Sequence, residues 1–143
     1  MQSMKTQLIC SGILAAMASF GSLAQDKTAS CIDSLAADSR LQVIADKVAL
    51  ARSGQASPMR ALDRVANDQE RAAVAVWLGR RKECFEAGSQ KRRALSTPQE
   101  IAFLRSVFVF QQRLVGDLQD GRLTYAEFNQ RRGELLKAAG EEI

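Results

Sequence analysis

The stretch LQDGRLTYAEF, Leu118 to Phe128, holds a helix stop, a turn and a helix start within eleven residues. Gly121 can take the positive φ that closes a helix. Thr124 offers a side-chain oxygen to cap the next helix, and Glu127, three residues later, completes a capping box. Leu123 before the cap and Phe128 four residues beyond it have the spacing of a hydrophobic staple. Phe128, Leu135, Leu136 and Ala139 then give the final helix an apolar face. That helix is expected to fold back on the Val115–Leu118 end of the preceding one as an αα-hairpin.

The same letters resemble the back half of a calcium loop, which needs oxygen ligands at its first, third and fifth positions and a glutamate at its twelfth. With Gly121 at the sixth position, Asp120 and Glu127 fill the fifth and twelfth. The first position is then Gly116 and the third is Leu118, and neither has a side-chain oxygen. Two carboxylates alone do not offset the dehydration of the ion, so no metal is expected here.

Upstream, helical spacing recurs and alternating β-branched runs are absent. Thr97-Pro98-Gln99-Glu100 is a second capping box with proline at the first helical position. It opens a helix predicted to reach Gln119. Ile101, Phe103, Leu104, Val107, Phe108, Phe110, Leu114, Val115 and Leu118 cover about half its circumference, wider than one buried stripe requires. Phe103, Phe110 and Leu114 lie along one flank. That flank is either covered by the first and third helices or docks a partner.

A further helix is predicted to begin at Asn67–Glu70, with Asn67 or Asp68 as its cap. It carries Val74, Trp77, Arg81 and Cys84 on one stripe, with Ala73, Leu78 and Phe85 beside it. A first amphipathic helix is predicted over Asp33–Ala51 from Leu35, Leu41, Ile44, Val48 and Leu50. Gly54 breaks it, and Ser57-Pro58 starts a short second helix. The stretch EAGSQKRRALS reads as a linker. The fold class is therefore all-α: a small bundle of four or five helices ending in the αα-hairpin, forming a single domain over 25–143.

Residues 1–24 read as a signal peptide. Lys5 precedes an apolar run from Leu8 to Phe20, and Ser22-Leu23-Ala24 fits a cleavage site that leaves Gln25 first. Ala16-Met17-Ala18 is a second candidate site, and Met4 gives a more usual start. The run is shorter than the about 20 residues a membrane span needs, so no transmembrane segment is expected in the mature chain. Cys10 follows bulky Ile9, and most of the apolar run lies after it rather than before it, which argues against a lipid-attachment site. Lys5 is the only charge removed, so 20 basic and 16 acidic residues become a net +3 (19 − 16). Cys31 and Cys84 are the two cysteines left. In the oxidising periplasm, or outside the cell, they are expected to pair.

The stretch from about Gln112 to Lys137 resembles the SHOCT (short C-terminal) module through Leu118, Gly121, Leu123, Thr124, Glu127, Phe128, Arg132, Leu135 and Leu136. Tyr125-Ala126 stand where that family commonly has an acidic residue. The resemblance implies a helical hairpin, often appended to other domains, with roles in oligomerisation or anchoring and no catalytic residue. Through Cys31, Trp77, Cys84 and this turn, the mature chain also looks like small secreted bacterial proteins of unknown function.

The sequence has no histidine, which excludes histidine-based triads, histidine metal ligands and the usual proton shuttle. Phosphate loops, nucleophile elbows and CxxC pairs are also missing, so no cofactor is expected. The basic clusters are Arg80-Arg81-Lys82 and Lys91-Arg92-Arg93. They suggest an anionic surface or glycan as an alternative ligand. Nucleic acid is not expected, because aromatics do not interleave with these residues and the chain is read as exported. The leading expectation is a non-catalytic protein that binds an unknown protein partner or forms a homo-oligomer. A hydrolase with an unrecognised carboxylate pair is the third reading.

Overall fold

The structure, a computed structural model, describes residues 27–52 and 57–140. The expected signal peptide with Cys10, its expected cleavage site and the expected break at Gly54 lie outside the described residues. Among the described residues there are six α-helices and no strand: α1 (Lys27–Ser34), α2 (Ser57–Ala61), α3 (Asp68–Ala87), α4 (Ser89–Leu95), α5 (Pro98–Gln119) and α6 (Tyr125–Ala138). Helix α3 is central. It packs on α1, on α5 and on the 39–44 segment, while α6 packs on α2 and α5. No described helix is long and apolar enough to cross a membrane.

The three predicted cap motifs set the helix starts. Asn67, Thr97 and Thr124 each accept the N–H of the residue three positions on, and Glu70, Glu100 and Glu127 return a bond to the cap N–H. Each box satisfies two amides that have no partner within their helix. Gly121 has φ +72°, a left-handed conformation that side chains disfavour. Leu123 and Phe128 are both buried, as the staple spacing requires.

The first predicted helix is corrected. In place of one helix over Asp33–Ala51, α1 is followed by 3₁₀ turns at Leu35–Ala37 and Ser39–Ile44. Asp38 is extended, at φ −71° and ψ 115°, and its carboxylate accepts the Arg40 N–H at 3.0 Å. An aspartate that takes a local backbone donor competes with helix continuation. The apolar reading survives the break, because Leu35, Leu41, Ile44, Val48 and Leu50 are all buried.

The linker reading of residues 86–96 is corrected as well. Gly88 keeps a right-handed conformation (φ −86°, ψ −6°), so the chain continues into α4, and extended Ser96 ends it. Along α3, Ala73, Val74, Trp77, Arg81 and Cys84 are buried as one stripe. Trp77 meets Phe128 edge to face at 5.9 Å. Its indole N–H has no protein acceptor among the described residues, so packing holds it. The Cys31–Cys84 disulfide ties α1 to the end of α3.

The buried face of α6 differs from the predicted one. Tyr125, Phe128, Asn129 and Arg132 are buried, while Leu135, Leu136 and Ala139 are only partly covered. Asn129 donates to the carbonyls of Lys47 (2.8 Å) and Met59 (3.0 Å), and Arg132 donates to that of Ala49 (2.6 Å). These carbonyls belong to the irregular chain before α2 and at the α2 turn, and a buried carbonyl must be paired. The first amides of α6 do the same work: Tyr125 N–H reaches Arg64 O at 3.0 Å and Ala126 N–H reaches Leu62 O at 2.9 Å. The hairpin is thus sewn into the domain rather than appended to it.

Candidate interaction surface

Helix α5 buries Val107, Val115 and Leu118. Phe108 turns onto α3 and stacks on Phe85, with ring centres 4.1 Å apart and planes 8° from parallel. Phe103 and Phe110 lie on the other flank and are each 52% exposed. Leu104 and Val109 are also exposed, as is Leu95 at the end of α4. Leu114 is partly buried against the core, so of the three predicted flank residues it marks where the exposed strip turns inward. The flank is therefore partly covered: Leu114 packs on the core, and Phe103 and Phe110 are left half exposed. Single exposed apolar residues are ordinary. Two phenylalanines seven positions apart on one helix are less so, because they share a face about two turns long.

The six basic residues do not form one surface. Arg81 is buried, with its guanidinium 5.4 Å from the Trp77 ring, and it donates to Gln111 and to Gln112 (3.1 Å) on α5. Gln112 donates back to Leu78 O at 3.1 Å. Arg92 is buried with its guanidinium 3.9 Å above Phe85, and it donates to Phe85 O and to Thr28 Oγ1 (2.7 Å). Arg80 pairs with Glu83 and lies 4.0 Å from Asp38. Lys82 and Arg93 are exposed, and Lys91 is partly so. The centre of each cluster thus serves the interior. The signal for this was local in one case, since Arg81 follows Trp77 by four residues on one helix face.

Several carboxylates pair with cations. Asp33 meets Arg52, Asp117 and Asp120 both meet Arg122, and Asp46 meets Lys47. Glu70 is the buried one: Arg64 donates to it twice at 2.7 Å, Asn67 N–H donates at 3.0 Å, and Lys47 lies 3.7 Å away. The Arg64 hydrogen bonds hold its carboxyl at about 2 against the opposing effect of burial, with Asn67 N–H adding to them. The Tyr125 hydroxyl is buried beside it, without the geometry of a formed hydrogen bond, and burial followed by the Glu70 charge pushes the phenol up. Sequence reasoning missed this cluster, since Arg64 and Tyr125 are far apart in the chain.

At the turn, Asp120 is 3.2 Å from Arg122, and Glu127 is occupied by Thr124 N–H at 2.8 Å. No group of three or more acidic, cysteine or histidine residues able to hold a metal occurs among the described residues. Comparison with family models, curated proteins and solved structures gives no match for this chain.

Proposed function

We propose that this is an exported, non-catalytic helical protein of the periplasm or cell exterior that works by association through the exposed flank of α5. The observation that carries the reading is the 52% exposure of both Phe103 and Phe110 beside a core that is complete without them. Full burial of such a ring is worth roughly 1.5–3 kcal/mol, of which about half remains to be gained by a ring already half buried, and this favours covering the flank. The SHOCT-like hairpin adds support of a different kind, since the resemblance implies oligomerisation or anchoring. The non-catalytic part rests on the lack of histidine and on a buried carboxylate fixed by arginine. The test is Phe103→Ser and Phe110→Ser in full chain purified from the periplasm. Thermal unfolding should stay within about 0.5 kcal/mol of wild type, while cross-linked complexes disappear. Loss of several kcal/mol of stability would make these residues core and overturn the reading.

A further inference from the structure

We infer that the partner of the α5 flank is an anionic phospholipid surface, with the outer face of the helix lying along the headgroups. The inference rests on the association reading above and adds the partner. At about 100° per residue, Ala102, Phe103, Ser106, Val109, Phe110 and Arg113 fall within about a third of the helix circumference. All six are exposed. Val107 and Leu114 lie on the other side of the two phenylalanines and turn to the core. The outer face thus sets two aromatic rings and a valine among small residues, with arginine beside them, which is the make-up of a helix that lies in a membrane interface.

Charge selects the kind of partner. Between Gly88 and Gly116 there are five basic residues and one acidic residue, a net +4 (5 − 1), equal to the +4 of the whole chain. The exposed large apolar residues gather on the same two helices: among the described residues, Leu95, Phe103, Leu104, Val109 and Phe110 lie there and only Val65 elsewhere. Arg93, Arg105 and Arg113 are exposed, and no carboxylate among the described residues pairs with them. The one acid, Glu100, lies about 60° beyond Phe103 on the side away from Arg113, and it accepts the Thr97 N–H at 2.7 Å. Asp117 and Asp120, at the far end of the helix, both meet Arg122. Arg113 holds its guanidinium 5.7 Å from the Phe110 ring, so this pair can place a ring at the acyl boundary and a charge at the phosphates.

Size argues for a bilayer over a folded partner. The strip from Ala102 to Arg113 is about 17 Å long and about 10 Å wide. That is on the order of 200 Å², against roughly 800 Å² that each partner buries in a specific protein complex. A bilayer moulds itself to a narrow convex strip, and each arginine near an anionic surface adds about fivefold to binding.

Flotation of the full, disulfide-bonded chain with lipid vesicles tests this without any variant. The chain should float with vesicles of equal parts phosphatidylcholine and phosphatidylglycerol and stay behind with phosphatidylcholine alone. Most of the binding should be lost at about 1 M salt, where the screening length is about 3 Å. Arg105→Gln and Arg113→Gln should each weaken binding about fivefold, and Phe103→Ser and Phe110→Ser several-fold, with thermal unfolding unchanged. Absence of flotation, or equal flotation with neutral vesicles, overturns the inference. So does flotation that these four substitutions leave unchanged. If the chain ignores vesicles while Phe103→Ser abolishes a cross-linked complex with itself or another protein, the lipid partner fails and the association reading stands. If neither vesicle binding nor any complex responds to the flank substitutions, both fail.

Discussion

Arg64 grips the Glu70 carboxylate with both terminal nitrogens at 2.7 Å, joining the chain after α2 to the first turn of α3. The carboxylate is buried, whereas the Arg64 side chain is 43% exposed. The pair is therefore partly solvated and its worth falls below that of a fully buried one.

The carboxyl of Glu70 is lowered from 4.5 to about 2 in the folded chain. A depressed value adds stability above the unfolded value and loses it as pH falls toward the folded one. Glu70→Gln is expected to cost about 2 kcal/mol near neutrality, the range for hydrogen bonds to a charged group. Chemical denaturation from pH 6 to pH 2 should show the two proteins converging across the interval from 4.5 to about 2. A constant difference at every pH would contradict this assignment.

Removing the disulfide should release α1 before the rest. The bond closes 53 residues, for which chain entropy gives an upper figure of about 4 kcal/mol. Helix α1 has no buried residue of its own. With Cys31→Ser and Cys84→Ser together, hydrogen exchange in residues 27–34 should accelerate while the middle of α3 stays protected. Intact-mass measurement of the wild-type chain should show two hydrogens missing.

The two basic clusters should divide by burial rather than by sequence. Arg92→Ala removes a guanidinium stacked on Phe85 and is expected to cost about 1–3 kcal/mol. Arg93→Ala, one residue on and exposed, should fall within about 0.5 kcal/mol. Urea titration distinguishes them. If both variants leave stability alone and both lower retention on a heparin column, an anion-binding face is the better account.

The Asp120–Glu127 turn should ignore calcium and respond to conformational change. Titration calorimetry with calcium should show no saturable heat. Gly121→Ala forces a side chain into φ +72° and sets its Cβ 2.6 Å from the Arg71 guanidinium, with an expected loss of about 1–2 kcal/mol. Thr124→Ala should cost about 1 kcal/mol as a lost cap. Saturable calcium heat removed by Glu127→Gln would restore the metal reading.

Export predicts a mature chain that begins at Gln25. N-terminal sequencing of periplasmic material checks this, and a retained Met1 or Met4 would refute it.

What could be read in the sequence is what neighbours decide. Thr97 and Thr124 act on residues three positions away, so the starts of α5 and α6 were legible, and so was the Trp77–Cys84 stripe. Residues 27–50 were not. Their path depends on Asp38 turning to Arg40, and on carbonyls such as that of Lys47, which finds its donor in Asn129, 82 residues away. Asn129 and Arg132 look like solvent residues in a helical pattern, and only the irregular backbone opposite them explains their burial. The α5 flank was visible as excess apolar surface. Whether its rings were covered depended on how the other helices pack on α5, which no local pattern encodes.

The position of α1 also sets an order of events. Its anchors, Cys84 and Arg92, follow Cys31 by 53 residues and Thr28 by 64. A chain delivered from its N-terminus presents α1 first, yet gives it nothing to rest on until α3 and α4 have arrived. On the export reading, the segment that emerges first therefore settles only after α3 and α4 have followed it, and the Cys31–Cys84 bond closes no earlier than that.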